Sequence, residues 1–486
     1  MHLVKLLLLT LSLFLLHGCK VLTTTVGQIR TDTTNPFIVS KRTENQTLLE
    51  HCASGIAQRQ ASKAAPIVAS IEDYKTYTIG YVEYSDQGWE YNDGAQRLAL
   101  IKRMREYLNK PESDNQTVVN LVFVHGWHHS AHDEDCNVNE VRAMVQQLND
   151  DFKPASGPAS IRFNGVYIAW RGESGKFPVQ KTLSIFDRRN AAEHVAKGAV
   201  RQMFADLRHL ELDDEERLST PSETVRRVRT IVIGHSFGGL IAFHSLSPAF
   251  INDLSLARPL DGRKPENDPA EGYLCSKAAM ARRFWPDMTV LINPAFESSR
   301  FQAVHDIAAV ARLCKDESPR PKMLIVTAEN DGPMKRFFPL FRRAASVVEQ
   351  YDTTTPKATD LEREANIHGI GFVDRFKTHA LLYQKNGCVK LQDLLVDKAS
   401  NSTSEAPNKT KQAAKHVWVV SAPAEIVDGH SGFLYPGAGS DNFTPYLLHW
   451  IASLYLDALP EIGTKTIDPA IQNVAKKYHS TLCSDS

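Results

Sequence analysis

Ser236 lies in the stretch Ile231-Val232-Ile233-Gly234-His235-Ser236-Phe237-Gly238-Gly239-Leu240, where an apolar run suited to a buried strand turns abruptly into an apolar segment suited to a helix. A serine on so sharp a turn is held in a strained backbone conformation. Close packing around it leaves little room for side chains two residues before and after, where Gly234 and Gly238 stand. The strain lifts the hydroxyl above the sheet edge and aims the following backbone N–H groups at whatever it attacks. The chemistry open to such a group is nucleophilic attack on a carbonyl carbon. A serine hydroxyl alone is a poor nucleophile, so a neutral imidazole must take its proton and an acid must orient that imidazole. His235, inside the turn, is expected to pack beside the nucleophile and not to act as a second base.

The elements that must position these groups follow from hydrophobic periodicity. Apolar strand candidates cover 118–124, 166–170, 230–233, 288–292, 323–327 and 417–420, with helical patterns between them. The clearest helix aligns Val200, Met203, Phe204 and Leu207 at i, i+3, i+4, i+7. Short apolar strands alternating with helices predict a parallel sheet covered on both faces. Right-handed crossovers then bring every strand's C-terminal end to one edge, where ligands bind in such sheets. Ahead of this series, Tyr77, Ile79 and Tyr81 alternate within 76–84 and predict an edge strand. A helix follows over about 95–108, with Leu98, Ile101 and Leu108 near one face, and a last helix covers 446–459. A long interruption, 332–415, precedes the final strand. Its aromatic and arginine-rich part (Phe337, Phe338, Phe341, Arg342, Arg343) reads as a lid or a surface excursion, and 400–412 as a flexible loop.

The strand over 118–124 runs into His125-Gly126-Trp127-His128-His129. This His-Gly pair and the Gly-His-Ser-Phe-Gly turn, each at a strand end, resemble the oxyanion loop and the nucleophile elbow of the α/β-hydrolase superfamily. The resemblance spans about 76–459. It implies the α/β-hydrolase fold, with a mostly parallel central sheet, helices on both faces and a long insertion before the last strand, and an acyl-enzyme mechanism without cofactor or metal. It also implies two oxyanion donors, the backbone N–H groups of Trp127 and Phe237, each worth roughly 10²–10³ in rate. Chain order in that superfamily is serine, acid, histidine. The histidine then falls at His430, in Asp428-Gly429-His430-Ser431-Gly432, ahead of His368, His379 and His449. The acid falls after the 323–327 strand, where Asp331 stands deeper in the turn than Glu329; Glu297, after the 288–292 strand, is another location.

Arg171, closing the 166–170 strand, is expected to answer a nearby carboxylate or helix end and is left outside the site. The run His125, His128, His129, His132, Asp133, Glu134, Asp135 has metal-ligand residue types but no helical register, and reads as a solvated loop with no metal assigned. Esters, thioesters, amides and peptides are all cleaved on this scaffold. The expected activity is hydrolysis of a carboxylic ester, from a small molecule or a lipid. Amide or peptide hydrolysis, acyl transfer and a non-catalytic cell-surface binding role are the alternatives.

The chain of 486 residues carries 56 basic and 56 acidic side chains, a balance that offers nothing to a nucleic acid. After His2 and Lys5 comes a largely apolar run, 6–16, then His17-Gly18-Cys19. That run is too short to span a bilayer, and 1–18 reads as a signal peptide. Leu16-His17-Gly18-Cys19 resembles a bacterial lipobox, which implies a lipid on Cys19 and, with Lys20 following, an outer-membrane anchor in the cell envelope; the alternative is secretion with Cys19 incidental. Residues 19–70 read as a tether with irregular structure, 71–465 as the hydrolase domain and 466–486 as a tail. The other cysteines (Cys52, Cys136, Cys275, Cys314, Cys388, Cys483) form no CxxC pair. Their even number suits disulfides in an oxidising compartment without fixing the connectivity.

Overall fold

The computed structural model describes residues 27–39, 66–153, 161–172, 185–220, 227–256, 284–311, 320–347, 349–384, 387–395, 410, 413–433, 446–456 and 483. In chain order the principal elements are β1 (Phe37–Ile38), β2 (Ile71–Asp73), β3 (Thr78–Tyr84), α1 (Ala95–Leu108), β4 (Thr117–Val124), α2 (Cys136–Asp151) and β5 (Ile161–Trp170). Then come α3 (Ile185–Lys197), α4 (Val200–Leu218), β6 (Val228–His235), α5 (Phe237–Leu256), β7 (Met288–Ile292), α6 (Gln302–Ala308) and β8 (Met323–Ala328). They are followed by α7 (Phe338–Ala345), α8 (Pro356–Ile367), β9 (His379–Tyr383), β10 (Val389–Asp393), β11 (Val417–Ala422) and α9 (Tyr446–Leu456).

The strands form one 11-stranded sheet in the order β1-β2-β3-β5-β4-β6-β7-β8-β11-β9-β10. It is parallel from β3 through to β9, and antiparallel only where β2 meets β3 and β10 meets β9. Alternation along the central strands feeds two cores. Val118, Val122 and Val124 of β4 face the core under α1, α3, α4, α5 and α6. Val119, Leu121 and Phe123 face the core under α2 and α9. Strand β4 is buried along its whole length, as a strand covered on both faces must be. The protein is thus an α/β protein with a mostly parallel sheet between helical layers.

Three features depart from the sequence reading. The strand expected at the edge, β3, is interior: β2 pairs with its outer side, and all of its residues are buried. Residues 27–39 and 66–70, assigned to a tether, lie against this flank of the sheet. Arg30 is fully buried there; its Nε donates to the Ala131 carbonyl at 2.8 Å and its Nη1 meets Glu72 at 3.1 Å. The backbone N–H groups of Ile29 and Arg30 donate to the Glu83 carboxylate at 2.9 and 2.8 Å. One internal ion cluster, invisible to hydropathy, holds a segment whose composition looks unstructured. In α1 it is Leu100, Ile101, Met104 and Leu108 that are buried, while Leu98 is 55% exposed.

The interruption at 332–415 also does more than cover a surface. It supplies β9, which pairs in parallel with β11, and β10 beyond it. Cys388, at the start of β10, is disulfide-bonded to Cys483, and the Cys483 N–H donates to the Val389 carbonyl at 3.0 Å. Within the expected tail, this residue is therefore tied to the sheet margin. Of the stretch 400–412, only Thr410 is among the described residues, and the signal segment with Cys19 lies outside them. Among the described residues no helix is long and apolar enough to cross a membrane.

Candidate active site

Because the sheet is parallel, the loops after β4, β6, β7, β8 and β11 converge on one edge. Ser236 sits between β6 and α5 with φ of 55°, in the left-handed region that a non-glycine residue occupies only under constraint. The constraint is visible: its N–H donates to the Ile292 carbonyl at 3.0 Å, and its carbonyl accepts from the Ala295 and Leu240 N–H groups at 3.0 and 3.2 Å. A Cβ on Gly238 would lie 2.0 Å from the Val124 carbonyl oxygen, and one on Gly234 would lie 2.7 Å from the Gly238 oxygen. Only glycine fits where helix, turn and neighbouring strand come this close.

His430 comes from the tight turn after β11, closed by reciprocal backbone bonds between Asp428 and Gly432. Its Nε2 lies 2.8 Å from Ser236 Oγ, and its Nδ1 lies 2.8 Å from Asp331 Oδ2. Asp331 is fully buried, and its Oδ1 accepts the Met334 N–H at 2.9 Å. Both carboxylate oxygens are thereby committed, which fixes the plane the imidazole must meet. With Nδ1–H donating to Asp331 Oδ2, the Nε2 lone pair faces the serine hydroxyl. Serine, base and acid, read from three separate strand ends, are brought together.

Two further residues hold His430 in place. Asn293, at the end of β7, donates from Nδ2 to the Gly429 and His430 carbonyls at 3.0 and 2.9 Å, and its Oδ1 accepts the Ala328 N–H at 2.8 Å. Asn293 is buried with φ of 45°, and no sequence signal marked it beyond its place after an apolar strand. His235 approaches the same His430 carbonyl with Nε2 at 2.7 Å. A carbonyl only accepts, so His235 carries its proton on Nε2. Burial first, and the neighbouring His430 second, hold its pKa well below the usual histidine value, which keeps it neutral. His235 packs as expected, its ring 5.1 Å from that of His430 and 4.6 Å from that of Phe433, and its Nε2 bond adds a hold on the His430 carbonyl. His235→Ala is expected to lower turnover by about 10²-fold through misplacement of the base. His235→Gln, whose amide still donates, should recover much of that loss while KM stays constant in both. Equal kinetics for the two variants would reduce His235 to filler.

The loop after β4 packs directly on the serine: a Cβ on Gly126 would lie 2.9 Å from Ser236 Cβ. His125, fully buried, stacks on Trp170 at 5.7 Å with 7° between the rings. Its Nε2 accepts the Trp170 N–H at 3.0 Å, so Nδ1 carries the hydrogen, which it donates to the Gly126 carbonyl at 2.8 Å. With the Gly126 carbonyl turned towards this ring, the planar peptide directs the Trp127 N–H the opposite way. Phe237 opens α5, and its N–H belongs to the first turn, whose N–H groups have no partner within the helix.

Burial lowers the His125 pKa to about 4. The group stays neutral in the folded chain but takes a proton near pH 6.5 when unfolded. Its contribution to stability is thus complete above about pH 6.5 and is lost as pH falls towards 4, to the extent of about 3 kcal/mol. Urea unfolding at pH 7 and pH 4.5 should show this loss, and His125→Gln should flatten the dependence. An unchanged slope in that variant would contradict a neutral buried His125.

The rival residues have other partners. Glu297 is buried among Arg189, Arg300 and Arg342, with Nε of Arg300 at 2.7 Å and Nε of Arg342 at 2.8 Å. These cations hold its carboxyl below the ordinary value against the opposing effect of burial. Glu329 is exposed. The His368 carbonyl accepts from Ser298, the His379 ring packs on Trp418 at 4.4 Å, and His449 is buried in α9. Arg171 meets Asp86, which Arg188 also contacts at 2.7 Å. In the histidine-rich loop, His129 pairs with Asp135 at 2.9 Å and Asp133 with Arg142 at 2.6 Å. No cluster of three or more metal-ligand side chains occurs among the described residues. No protein-family model, curated protein or solved structure matches this chain.

Proposed function

We propose that the protein is a serine hydrolase of the α/β-hydrolase superfamily that cleaves carboxylic esters through an acyl-enzyme. The observation that carries this reading is the pair of 2.8 Å contacts linking Ser236 Oγ, His430 and Asp331. Ser236 Oγ attacks the ester carbonyl as His430 Nε2 takes its proton, and Asp331 stabilises the imidazolium without being protonated itself. The tetrahedral oxyanion is received by the N–H groups of Phe237 and Trp127. As that intermediate collapses, the C–O bond to the alcohol breaks and His430 returns the proton to the leaving oxygen. Water, deprotonated by the same imidazole, then releases the acid and restores Ser236. A lipid on Cys19 would hold this chemistry at the cell envelope.

The test is treatment of the folded protein with a fluorophosphonate, followed by mass spectrometry of the modified peptide. An adduct on Ser236 is the expected result, with p-nitrophenyl esters of increasing chain length then defining the acyl preference. A folded protein that takes no adduct and cleaves no ester would support a binding role instead. Amides cleaved faster than matched esters would move the reading to an amidase or peptidase.

A further inference from the structure

Two residues beyond Asp331 the chain enters a helical run, a π-type turn over Pro333–Phe337 leading into α7. Its inner side is fixed. Met334 and Phe338 are buried, Arg342 Nε meets Glu297 at 2.8 Å, and Arg342 Nη2 donates to Asn366 Oδ1 at 2.9 Å. Its outer side is apolar where it faces solvent: Phe337, Leu340 and Val347 are 68%, 67% and 79% exposed. With the exposed Ala344 they recur at i, i+3, i+7 and i+10, a single stripe along the helix and the turn that follows it. Arg336 and Arg343 are exposed beside it, and no Asp or Glu occurs from 333 to 347.

We infer that this stripe is a docking surface for an anionic lipid bilayer. A helix with an apolar outer stripe and flanking cations lies in the plane of a bilayer interface, with its apolar side chains among the acyl chains and its cations at the anionic headgroups. Charge argues against a second copy of the chain as the occupant. A symmetric self-contact would bring the cations of both stripes together with no carboxylate in the segment to offset them. The anchoring beneath, through Arg342 and Met334, makes the surface rigid before contact. Because the Met334 N–H is bound to Asp331, the docked segment is continuous with the acid of the candidate site. That bilayer esters are what reaches Ser236 rests on the serine-hydrolase reading; the docking surface itself does not.

Hydroxyl-radical footprinting of the full chain tests this, with vesicles of phosphatidylcholine alone and of phosphatidylcholine mixed equally with phosphatidylglycerol. Oxidation of Phe337 and Leu340 should fall several-fold on the anionic vesicles only, and the protection should weaken as salt rises. A chain with Phe337→Ser and Leu340→Ser, both exposed and so compatible with folding, should bind these vesicles at least tenfold more weakly. Unchanged oxidation on anionic vesicles overturns the inference, whether or not the chain associates through another segment. Equal protection by both vesicle types removes the anionic requirement and overturns it too. Protection by soluble polyglutamate, with none on vesicles, would assign the stripe to an acidic protein. Fluorophosphonate labelling of Ser236 in the same samples reports on the hydrolase reading separately, so either can fail without the other.

Discussion

Ser236→Ala is expected to lower ester turnover by about 10⁶-fold and to abolish fluorophosphonate labelling, with the thermal unfolding midpoint nearly unchanged. The size of the loss follows from the proposed mechanism: the hydroxyl 2.8 Å from His430 Nε2 is the atom the imidazole would serve, and without it the proposed base has no nucleophile to activate. The small effect on stability follows from what remains. The φ of 55° is imposed by backbone bonds from Ile292, Ala295 and Leu240, and alanine keeps the same Cβ in the same place. Any residual rate would report on binding and oxyanion donors alone. Calorimetry beside p-nitrophenyl ester kinetics checks both halves. An unfolded variant would recast Ser236 as structural, and retained turnover would require another nucleophile.

Asp331→Asn is expected to cut turnover by about 10⁴-fold while the fold persists. The native carboxylate accepts twice, from His430 through Oδ2 and from the Met334 N–H through Oδ1. An amide has one accepting and one donating end. If the NH₂ faces His430, the imidazole must carry its proton on Nε2 and cannot act as base towards Ser236. If it faces Met334, two donors oppose each other in a fully buried place. The first arrangement loses catalysis at little cost in stability and should prevail. Glu329→Gln is the control: an exposed carboxylate outside the contact network of His430 should leave turnover unchanged. Near-normal turnover in Asp331→Asn would mean that something other than this carboxylate orients the base.

The turn bearing Ser236 was legible because its residue pattern is local. Gly234, Ser236 and Gly238 lie within five residues, between a β-branched run and a helix-forming one, so the pattern shows in a short window even though the contacts that constrain it reach Val124 and Ile292 on neighbouring strands. The strand over 288–292 and the parallel character of the sheet were legible for the same reason: side-chain periodicity registers burial on both faces. The acid was not decided that way. Glu297, Glu329 and Asp331 all follow apolar strands, and a linear reading ranks them by position alone. Folding separates them by their surroundings: Glu297 is claimed by arginines of α3 and α7 and by Arg300, Glu329 points to water, and only Asp331 is buried against the imidazole.

Other determinants were equally out of reach. Asn293 and His235 act on a carbonyl 137 and 195 residues further along the chain. Arg30 is buried through partners 42 and 101 residues away, in a segment whose own composition predicts a tether. Strands β9 and β10, five residues each like β7, carry polar residues (His379; Lys390, Gln392 and Asp393) where β7 is almost wholly apolar, so their pattern does not stand out, and they become strands because β11 offers them an open edge. Sequence alone determined the strand-turn-helix of Ser236, the periodic strands around it and the turn that bears His430. Tertiary structure decided which carboxylate serves that histidine and what holds it still, because hydrogen bonds and ion pairs depend on distances that only the folded sheet edge sets.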